Sequence, residues 1–334
     1  MCSGNGSVAA FDSESINIYN EHSTISVHFR NVPGTVHTRI KSQPGTCCRG
    51  SGGVCNDLHS MTTQTKRSTP LLDRFHPQIT RIQRLGKRAE RDRTGLFYIE
   101  GMRFVTQALQ HQAHIEQLVV CRELLIHPFA QRPVREQNRR GIRLLEVSRT
   151  VMEGLSQVQD SQGLGAVVRQ RWQRLERVRP GQELCWVAVE TIRSPGNLGT
   201  ILRTSDAVGG AGLLLLGPST DPYDPGTVRA TMGAMFTQRF VRTSREELMY
   251  WKRRGQYLLA GTSPTASQDY HTASYRHPTI LLIGEERQGL SAELQAMCDL
   301  MVSIPMVGES DSLNVAMATG VILYELFHQH RKFI

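Results

Sequence analysis

The sequence predicts an α/β fold in which helices cover a mostly parallel sheet. From residue 184 onward, short apolar runs alternate with segments of helical periodicity, and intervening helices imply parallel strands. The runs 213–216 and 280–283 lack polar alternation, as strands buried on both faces should. Strands are predicted at 185–190, 212–216, 257–261, 279–283 and 300–305, and helices at 198–208, 225–235, 290–298 and 312–328.

A smaller α/β domain is predicted ahead of this sheet, over residues 75–170. Ile79, Ile82 and Leu85 recur at helical spacing from residue 77, with basic side chains, Arg91 among them, on the opposite solvated face. Residues 171–183 are rich in Arg and are predicted to form a charged linker, which leaves 184–334 as the larger domain. Strands of the smaller domain are predicted at 96–100, 115–120, 142–147 and 163–168.

Residues 1–65 are predicted to be a disordered extension. They are rich in Gly, Ser, Thr and Asn, and such a segment buries too little apolar surface to offset its ordering entropy. One hypothesis is that residues 1–60 extend the reading frame upstream of a start at Met61. Cys47, Cys48 and Cys55 lie in this segment without a histidine at metal-ligand spacing, so no metal site is predicted.

The formal net charge of +9 is concentrated in one segment. Residues 61–180 carry 22 Lys and Arg against 11 Asp and Glu, which is typical of a surface that binds a polyanion. A solvated Arg-rich surface is the alternative. No apolar run approaches the ~18 residues of a membrane helix, and the N-terminus lacks a signal-peptide pattern. The sequence therefore predicts a cytoplasmic protein without a membrane partner.

Three loops at predicted strand ends carry the candidate functional residues. The first spans 194–204 and contains Asn197 and Arg203. The second spans 284–290, and the third leads through Ser312 and Asn314 into the final predicted helix. In parallel sheets, backbone amides and helix starts converge at the carboxyl ends of the strands, and ligands bind there. No Gly-x-Gly-x-x-Gly follows the first strand and no P-loop occurs, so a dinucleotide fold or a nucleotide triphosphatase lacks its phosphate cradle.

Together and in this order, the three loops resemble the signature motifs of the SpoU/TrmH family, within the SPOUT superfamily, of S-adenosylmethionine-dependent RNA ribose 2'-O-methyltransferases. The resemblance covers roughly 184–327. The segment 78–169 is similar to the ribosomal-protein-like substrate-binding domain that precedes many catalytic domains of this family. The resemblance implies a trefoil-knotted catalytic domain and a homodimer paired through that domain.

The resemblance also implies roles for individual residues. Arg203 would lie at the target ribose. Because a guanidinium hardly deprotonates, binding the adjacent phosphate and stabilising the developing oxyanion is an easier role for it than accepting the proton. The polar catalytic positions are Asn197, Arg203, Glu286, Ser312 and Asn314. The residues lining the S-adenosylmethionine pocket are Ile283, Gly284, Gly289, Ile304, Met306 and Leu313.

Each of these residues also has a purely structural interpretation. In that interpretation Gly284 and Gly289 only permit turns, since glycine is the default turn residue. Glu285 departs from the family pattern, in which many relatives have a small residue at this position. The polar residues would act within the fold: Asn197 as a helix N-cap, Arg203 as a surface ion-pair partner, Glu286 as a contact that holds Arg203, and Ser312 and Asn314 as caps of the final helix.

The predicted function is methylation of a ribose 2'-hydroxyl in RNA. The extra domain favours 23S ribosomal RNA as the target, by analogy at the level of the fold. A transfer RNA methyltransferase, an antibiotic-resistance rRNA methyltransferase and a non-catalytic ribosome assembly factor remain as alternatives. Contacts to RNA phosphates are predicted for Arg81, Arg84, Lys87 and Arg88.

Overall fold

A computed structural model describes residues 72–126, 134, 141–156, 161–179, 183–217 and 221–331. The extension predicted at 1–65, which includes Cys47, Cys48 and Cys55, lies outside these residues. Within the described part of the chain, no helix is both long enough and apolar enough to cross a membrane.

A four-stranded sheet forms the N-terminal part of the described chain. Its strands are β1 (Leu96–Glu100), β2 (Ile115–Val120), β3 (Arg143–Glu146) and β4 (Leu164–Arg169), in the order β1-β4-β2-β3. Strand β4 is antiparallel to β1 and β2, whereas β2 and β3 are parallel. All four strands begin and end within one residue of their predicted bounds. Four helices accompany them: α1 (Pro77–Arg84), α2 (Arg88–Thr94), α3 (Met102–Gln110) and α4 (Arg149–Leu155).

A seven-stranded sheet forms the rest, and its described pairings are all parallel. Its strands are β5 (Cys185–Val189), β6 (Gly212–Leu215), β7 (Arg239–Arg242), β8 (Leu258–Thr262), β9 (Gln268–Asp269), β10 (Thr279–Ile283) and β11 (Leu300–Ser303). Their order is β7-β6-β5-β10-β8-β11-β9. The helices are α5 (Pro195–Ala207), α6 (Pro225–Ala230), α7 (Arg245–Gly255), α8 (Ala292–Met297) and α9 (Val315–His330). The predicted α/β fold with a mostly parallel sheet is confirmed, and the trefoil knot stays a prediction.

Strand β7 and helix α7 were not predicted from the sequence. Strand β7 lies at the edge of the sheet, and Arg239 and Arg242 at its two ends interrupt any apolar run. Helix α7 buries Leu248 and Trp251 among mostly charged residues, so its apolar face is narrow. A capping box formed by Ser244 with a glutamate three residues later marks its start, and this was the local signal available.

The first helical segment differs from its prediction at Arg91. The periodicity placed this arginine on the basic solvated face, but it is only 2% exposed. Its guanidinium donates to the carbonyl oxygens of Leu85 and Gly86, at 2.8 Å each, and to the carboxylate of Asp221 at 2.7 Å. The prediction is wrong because a carboxylate 130 residues away supplies a partner that permits burial of the charge. The ion pair fastens α2 to the segment that leads into α6.

Candidate active site

The loops that follow β5 and β10 begin side by side, because Val189 pairs with Ile283 in parallel register. The β5 loop leads into α5, whose N-cap is Ser194. The Ser194 Oγ accepts a hydrogen bond from the backbone amide of Asn197 at 3.3 Å. The prediction that Asn197 is the N-cap is therefore wrong. Helix α5 begins three residues earlier than predicted, since Ser194 followed by Pro195 provides a favourable cap and first turn.

Glu286, in the loop after β10, binds the start of α5. Its Oε1 accepts hydrogen bonds from the Ser194 amide and the Asn197 Nδ2, both at 3.2 Å. Its Oε2 accepts from the backbone amide of Arg193 at 3.3 Å. No ion pair joins Glu286 to Arg203 among the described residues, so the predicted contact between them is wrong. The carboxylate is instead engaged by the helix start, where partial positive charge favours an anion.

The hydrogen bonds to Glu286 determine its protonation. Partial burial alone raises the pKa of the carboxyl, but the donors from Asn197, Arg193 and Ser194 outweigh burial and bring the pKa below its ordinary value. Glu286 is therefore charged near neutral pH and accepts hydrogen bonds only. A carboxylate of lowered pKa is a weak general base, so its geometry suits orienting Asn197 better than removing a proton.

Asn314 joins the third loop to the same cluster. Its Nδ2 donates to the Oδ1 of Asn197 at 3.1 Å. Its own Oδ1 accepts from the amides of Ala316 and Met317, at 2.9 and 3.4 Å, and thereby caps α9. The prediction that Asn314 caps the final helix is confirmed. One hydrogen-bonded chain, Glu286 to Asn197 to Asn314, thus brings the three loops together, and we call it the polar cluster.

Two of the predicted catalytic residues lie outside the polar cluster. Ser312 donates to Asp311 at 3.2 Å and does not cap α9, so that alternative is wrong for Ser312. Arg203 is exposed on α5, and its guanidinium makes no hydrogen bond or ion pair with the part of the chain that the structure describes. The next residue, Thr204, shows that α5 and α9 lie against each other. Its methyl carbon is 3.7 Å from the position that a Cβ on Gly320 of α9 would occupy. The guanidinium of Arg203 is therefore available to an anionic ligand.

The loop after β10 is closed on itself. The backbone amide of Glu285 donates to the carbonyl oxygen of Gly289, and the amide of Gly289 donates to the carbonyl oxygen of Glu285, both at 3.0 Å. A Cβ on Gly284 would lie 2.2 Å from the Gly289 carbonyl carbon, and Gly289 has φ +65°. The fold therefore requires glycine at both positions, as the turn interpretation expects. The two glycines let the loop backbone lie close to the end of the buried strand residue Ile283.

The loop after β11 presents apolar side chains to solvent. Met306 and Leu313 are 37% and 41% exposed, and Val307 is fully exposed. Ile304 is half-buried at the base of the loop. Exposed apolar side chains beside a polar cluster are typical of a surface that contacts a ligand or another protein.

Residues that the sequence did not single out complete the site. Ser194 caps α5, and its signal was the Ser194-Pro195 step. Arg193 forms an ion pair with Glu285 at 2.7 Å. Glu285 is the residue that departs from the family pattern, and its negative charge is thus neutralised by Arg193.

The protein has two α/β parts, and in the larger part the polar cluster joins three loops at the carboxyl ends of parallel strands. The profile described as the SpoU rRNA Methylase family matches residues 185–324, and that of the MRM3-like substrate binding domain matches 76–166. A 23S rRNA (uridine(2479)-2'-O)-methyltransferase from Streptomyces viridochromogenes is 33% identical, over 78% of this chain and 94% of the relative. The chain belongs to the SpoU rRNA methylase family.

Further relatives support this assignment. A 23S rRNA (guanosine(2553)-2'-O)-methyltransferase from Bacillus subtilis is 25% identical over 73% of this chain and 93% of its own. The structure of an AdoMet-bound rRNA methyltransferase from Sinorhizobium meliloti has a TM-score of 0.70 and 34% identity, covering 78% of this chain and 96% of that one. A SpoU methyltransferase from Streptomyces viridochromogenes, in complex with AdoMet, has a TM-score of 0.67 and 32% identity, covering 76% and 98%. The predicted family and enzyme class, an RNA 2'-O-methyltransferase, are confirmed.

Proposed function

We propose that the protein transfers a methyl group from S-adenosylmethionine to a ribose 2'-hydroxyl of 23S ribosomal RNA. The observation that carries the proposal is the polar cluster, in which Glu286, Asn197 and Asn314 join three loops that are far apart in sequence. The ribosomal target is supported by two relatives named as 23S rRNA methyltransferases, more than nine-tenths of whose lengths this chain covers. Cytoplasmic location belongs to the same proposal.

The proposed domains are 75–170 for substrate binding and 184–334 for catalysis, joined by the linker 171–183. The matched segments 76–166 and 185–324 support these bounds. So does the presence of a separate sheet in each part.

The donor side is formed by the loops after β10 and β11. S-adenosylmethionine supplies a methyl group on a positively charged sulfur. The exposed side chains of Met306 and Leu313 offer apolar surface for its adenine ring, and the closed loop at 285–289 offers backbone next to it. The residues proposed to hold this group are Ile283, Gly284, Gly289, Ile304, Met306 and Leu313.

The acceptor side is formed by α5 and the polar cluster. Glu286 and Asn314 hold the Asn197 amide from both of its ends, so Asn197 presents a fixed orientation at the helix start. Arg203 binds the phosphate next to the target ribose and stabilises negative charge that develops on the attacking oxygen. Ser312 lies in the exposed third loop, where it would contact substrate or donor. Together these residues orient the reacting groups, which lowers the entropic part of the barrier.

RNA phosphates are proposed to contact the basic surface of α1 and α2. Arg81, Arg84 and Lys87 are exposed there. Arg88 is half-buried and forms an ion pair with Asp92 at 3.4 Å, so it contributes less free positive charge. Phosphate contacts of this kind supply affinity independently of sequence.

A homodimer is proposed to form through one face of α9. The apolar side chains of Ile322 and Leu326 on this helix are fully buried in the core of the chain. Met317 and Tyr324 are instead 61% and 54% exposed, and they lie on one helical face because they are seven residues apart.

The cellular test is to map 2'-O-methyl groups in ribosomal and transfer RNA from cells with and without the gene. Loss of one 2'-O-methyl group in 23S rRNA is the expected result. Loss confined to transfer RNA would replace the proposed target with the alternative one.

Donor binding separates an enzyme from an assembly factor that has lost its chemistry. Calorimetry of the full chain with S-adenosylmethionine should show binding. Absence of binding at millimolar donor would favour the assembly factor, whereas the intact polar cluster supports the enzyme.

A further inference from the structure

A cavity of about 470 Å³ lies between the smaller sheet and α6. Its apolar lining comes from α1 and the residue after it, from β1, from α3 and from α6, and includes Ile82, Leu85, Tyr98, Ile99, Phe104 and Val228. We call this cavity the domain cleft. It shares no residue with the polar cluster.

The domain cleft lies one helix away from the proposed catalytic residues. Helix α6 contributes Val228 and Arg229 to the cleft. On another side α6 packs tightly on α5, since a Cβ on Gly199 would lie 2.3 Å from the Cβ of Ala230 and 2.7 Å from the carbonyl oxygen of Thr227. Packed helices have axes ~8–10 Å apart. A polymer that reaches the start of α5 can therefore also reach the cleft.

Polar groups among the apolar walls provide both donors and acceptors. Arg103, Arg229 and Gln83 are exposed residues of the lining. Gln162 uses its Oε1 to accept from the Met102 amide at 2.8 Å, which leaves its side-chain N–H groups for other acceptors. Glu100 adds a carboxylate acceptor to the lining.

We propose that the domain cleft binds an unstacked nucleobase of the RNA substrate. Unstacked RNA bases are recognised by aromatic side chains that stack on them and by polar groups that bond to their edges. Phe104 and Tyr98 provide the aromatic surface, and Glu100, Arg103 and Gln162 provide the edge contacts. The inference rests on the proposed function and extends it, because it identifies a second contact with the same RNA.

Charge and position favour RNA over a small metabolite. Arg84 and Lys87 are exposed next to the cleft residues Gln83 and Gly86 along the chain, where they can bind flanking phosphates. Most of the lining belongs to the segment 76–166, which matches a substrate-binding profile, and the rest belongs to α6 of the other part. A ligand in the cleft therefore touches both parts at once, as a long substrate does.

The test uses a side chain that fills the cleft. In Gln83→Trp an indole replaces a side chain of the lining, whereas Gln78→Trp adds an indole at an exposed position of the same helix outside the lining. Binding of each full-length variant to a 23S rRNA transcript is measured together with its affinity for S-adenosylmethionine. A transcript containing 4-thiouridine is crosslinked to the wild type by ultraviolet light, and the crosslinked peptides are mapped.

Gln83→Trp should weaken RNA binding about tenfold, the effect of losing one stacked base, with donor affinity unchanged. Gln78→Trp should bind as the wild type does, and crosslinks should include Tyr98 or Phe104. Phe104→Leu should weaken binding, and Phe104→Tyr should restore it, because only the second retains a ring. Wild-type binding by Gln83→Trp, with crosslinks confined to the exposed arginines, would overturn the proposal. If the wild type crosslinks through the cleft but transfers no methyl group, the proposed function fails and the cleft assignment stands.

Discussion

Asn197 and Asn314 form a hydrogen bond between their side chains, at 3.1 Å, across the starts of α5 and α9. Asn197 also donates from its Nδ2 to Glu286 at 3.2 Å, so the hydrogen-bond partners determine which end of the amide is the oxygen and which is the nitrogen. A rotation of the Asn197 amide would break both hydrogen bonds at once. The relative positions of three loops therefore depend on one side-chain amide.

The two functions of Asn314 can be separated by substitution. Asn314→Ala removes the N-cap of α9 and should lower the free energy of unfolding by about 1 kcal/mol. Asn314→Asp retains a capping oxygen but replaces the donor to Asn197 with an acceptor, so it should keep near-normal stability and lose most methyl transfer. Urea unfolding and turnover of both variants test this. Normal turnover of Asn314→Asp would remove the hydrogen bond to Asn197 from the mechanism.

The lowered pKa of Glu286 predicts a pH-dependent contribution to stability. A carboxyl whose folded pKa lies below its ordinary value of 4.5 stabilises the fold above that pH, and this stabilisation is lost as the pH falls through the folded pKa. The difference in Tm between the wild type and Glu286→Gln should therefore be largest near pH 7 and should shrink below about pH 4.5. Thermal unfolding across this range measures it. A difference that stays constant with pH would show that the charge of Glu286 is not what stabilises the loops.

Burial of Arg91 predicts a large effect on stability. Arg91→Ala leaves Asp221 without its buried partner and should lower the free energy of unfolding by about 3 kcal/mol or more. Arg91→Lys should recover little, because one ammonium cannot reach the two carbonyls and the carboxylate together. Arg93→Ala is the matched control: its side chain is 68% exposed and pairs with Glu90, so it should cost less than about 1 kcal/mol. Equal effects of the two alanine variants in urea would contradict the account.

The basic surface of α1 and α2 predicts the salt dependence of RNA binding. Changing Arg81, Arg84 and Lys87 to Gln should weaken binding to 23S rRNA and reduce the slope of log K against log salt by about two. A charge-matched control changes three exposed arginines of the other part, Arg253, Arg254 and Arg276. Filter binding at several salt concentrations distinguishes the variants. If both triple variants lose the same slope, the surface has no special role.

Elements whose signals are local were predicted from the sequence. Strand β10 is encoded by consecutive apolar residues, because a strand buried on both faces has no polar alternation, and its bounds were predicted correctly. The capping role of Asn314 was likewise visible, since an Asn directly before an apolar helical segment is a common start signal.

Features that depend on distant residues were not predictable. The burial of Arg91 requires Asp221, which no local pattern connects with it. The orientation of Asn197 depends on Glu286 and Asn314, so the sequence indicated its importance but offered only helix capping as its structural role. Local charge patterns describe exposed faces, whereas contacts between separate segments decide which charges are buried.

Methyl transfer by this protein is tested by incubating S-adenosylmethionine that carries a labelled methyl group with unmodified 23S rRNA and the wild type, Arg203→Lys or Arg203→Ala. For the wild type we expect label in an alkali-resistant dinucleotide, because a 2'-O-methyl group blocks hydrolysis of the adjoining phosphodiester. Arg203→Lys should retain a fraction of this activity, and Arg203→Ala should lose it with donor affinity within a few fold of normal. Label in alkali-labile nucleotides, or near-normal turnover by Arg203→Ala, would contradict the account.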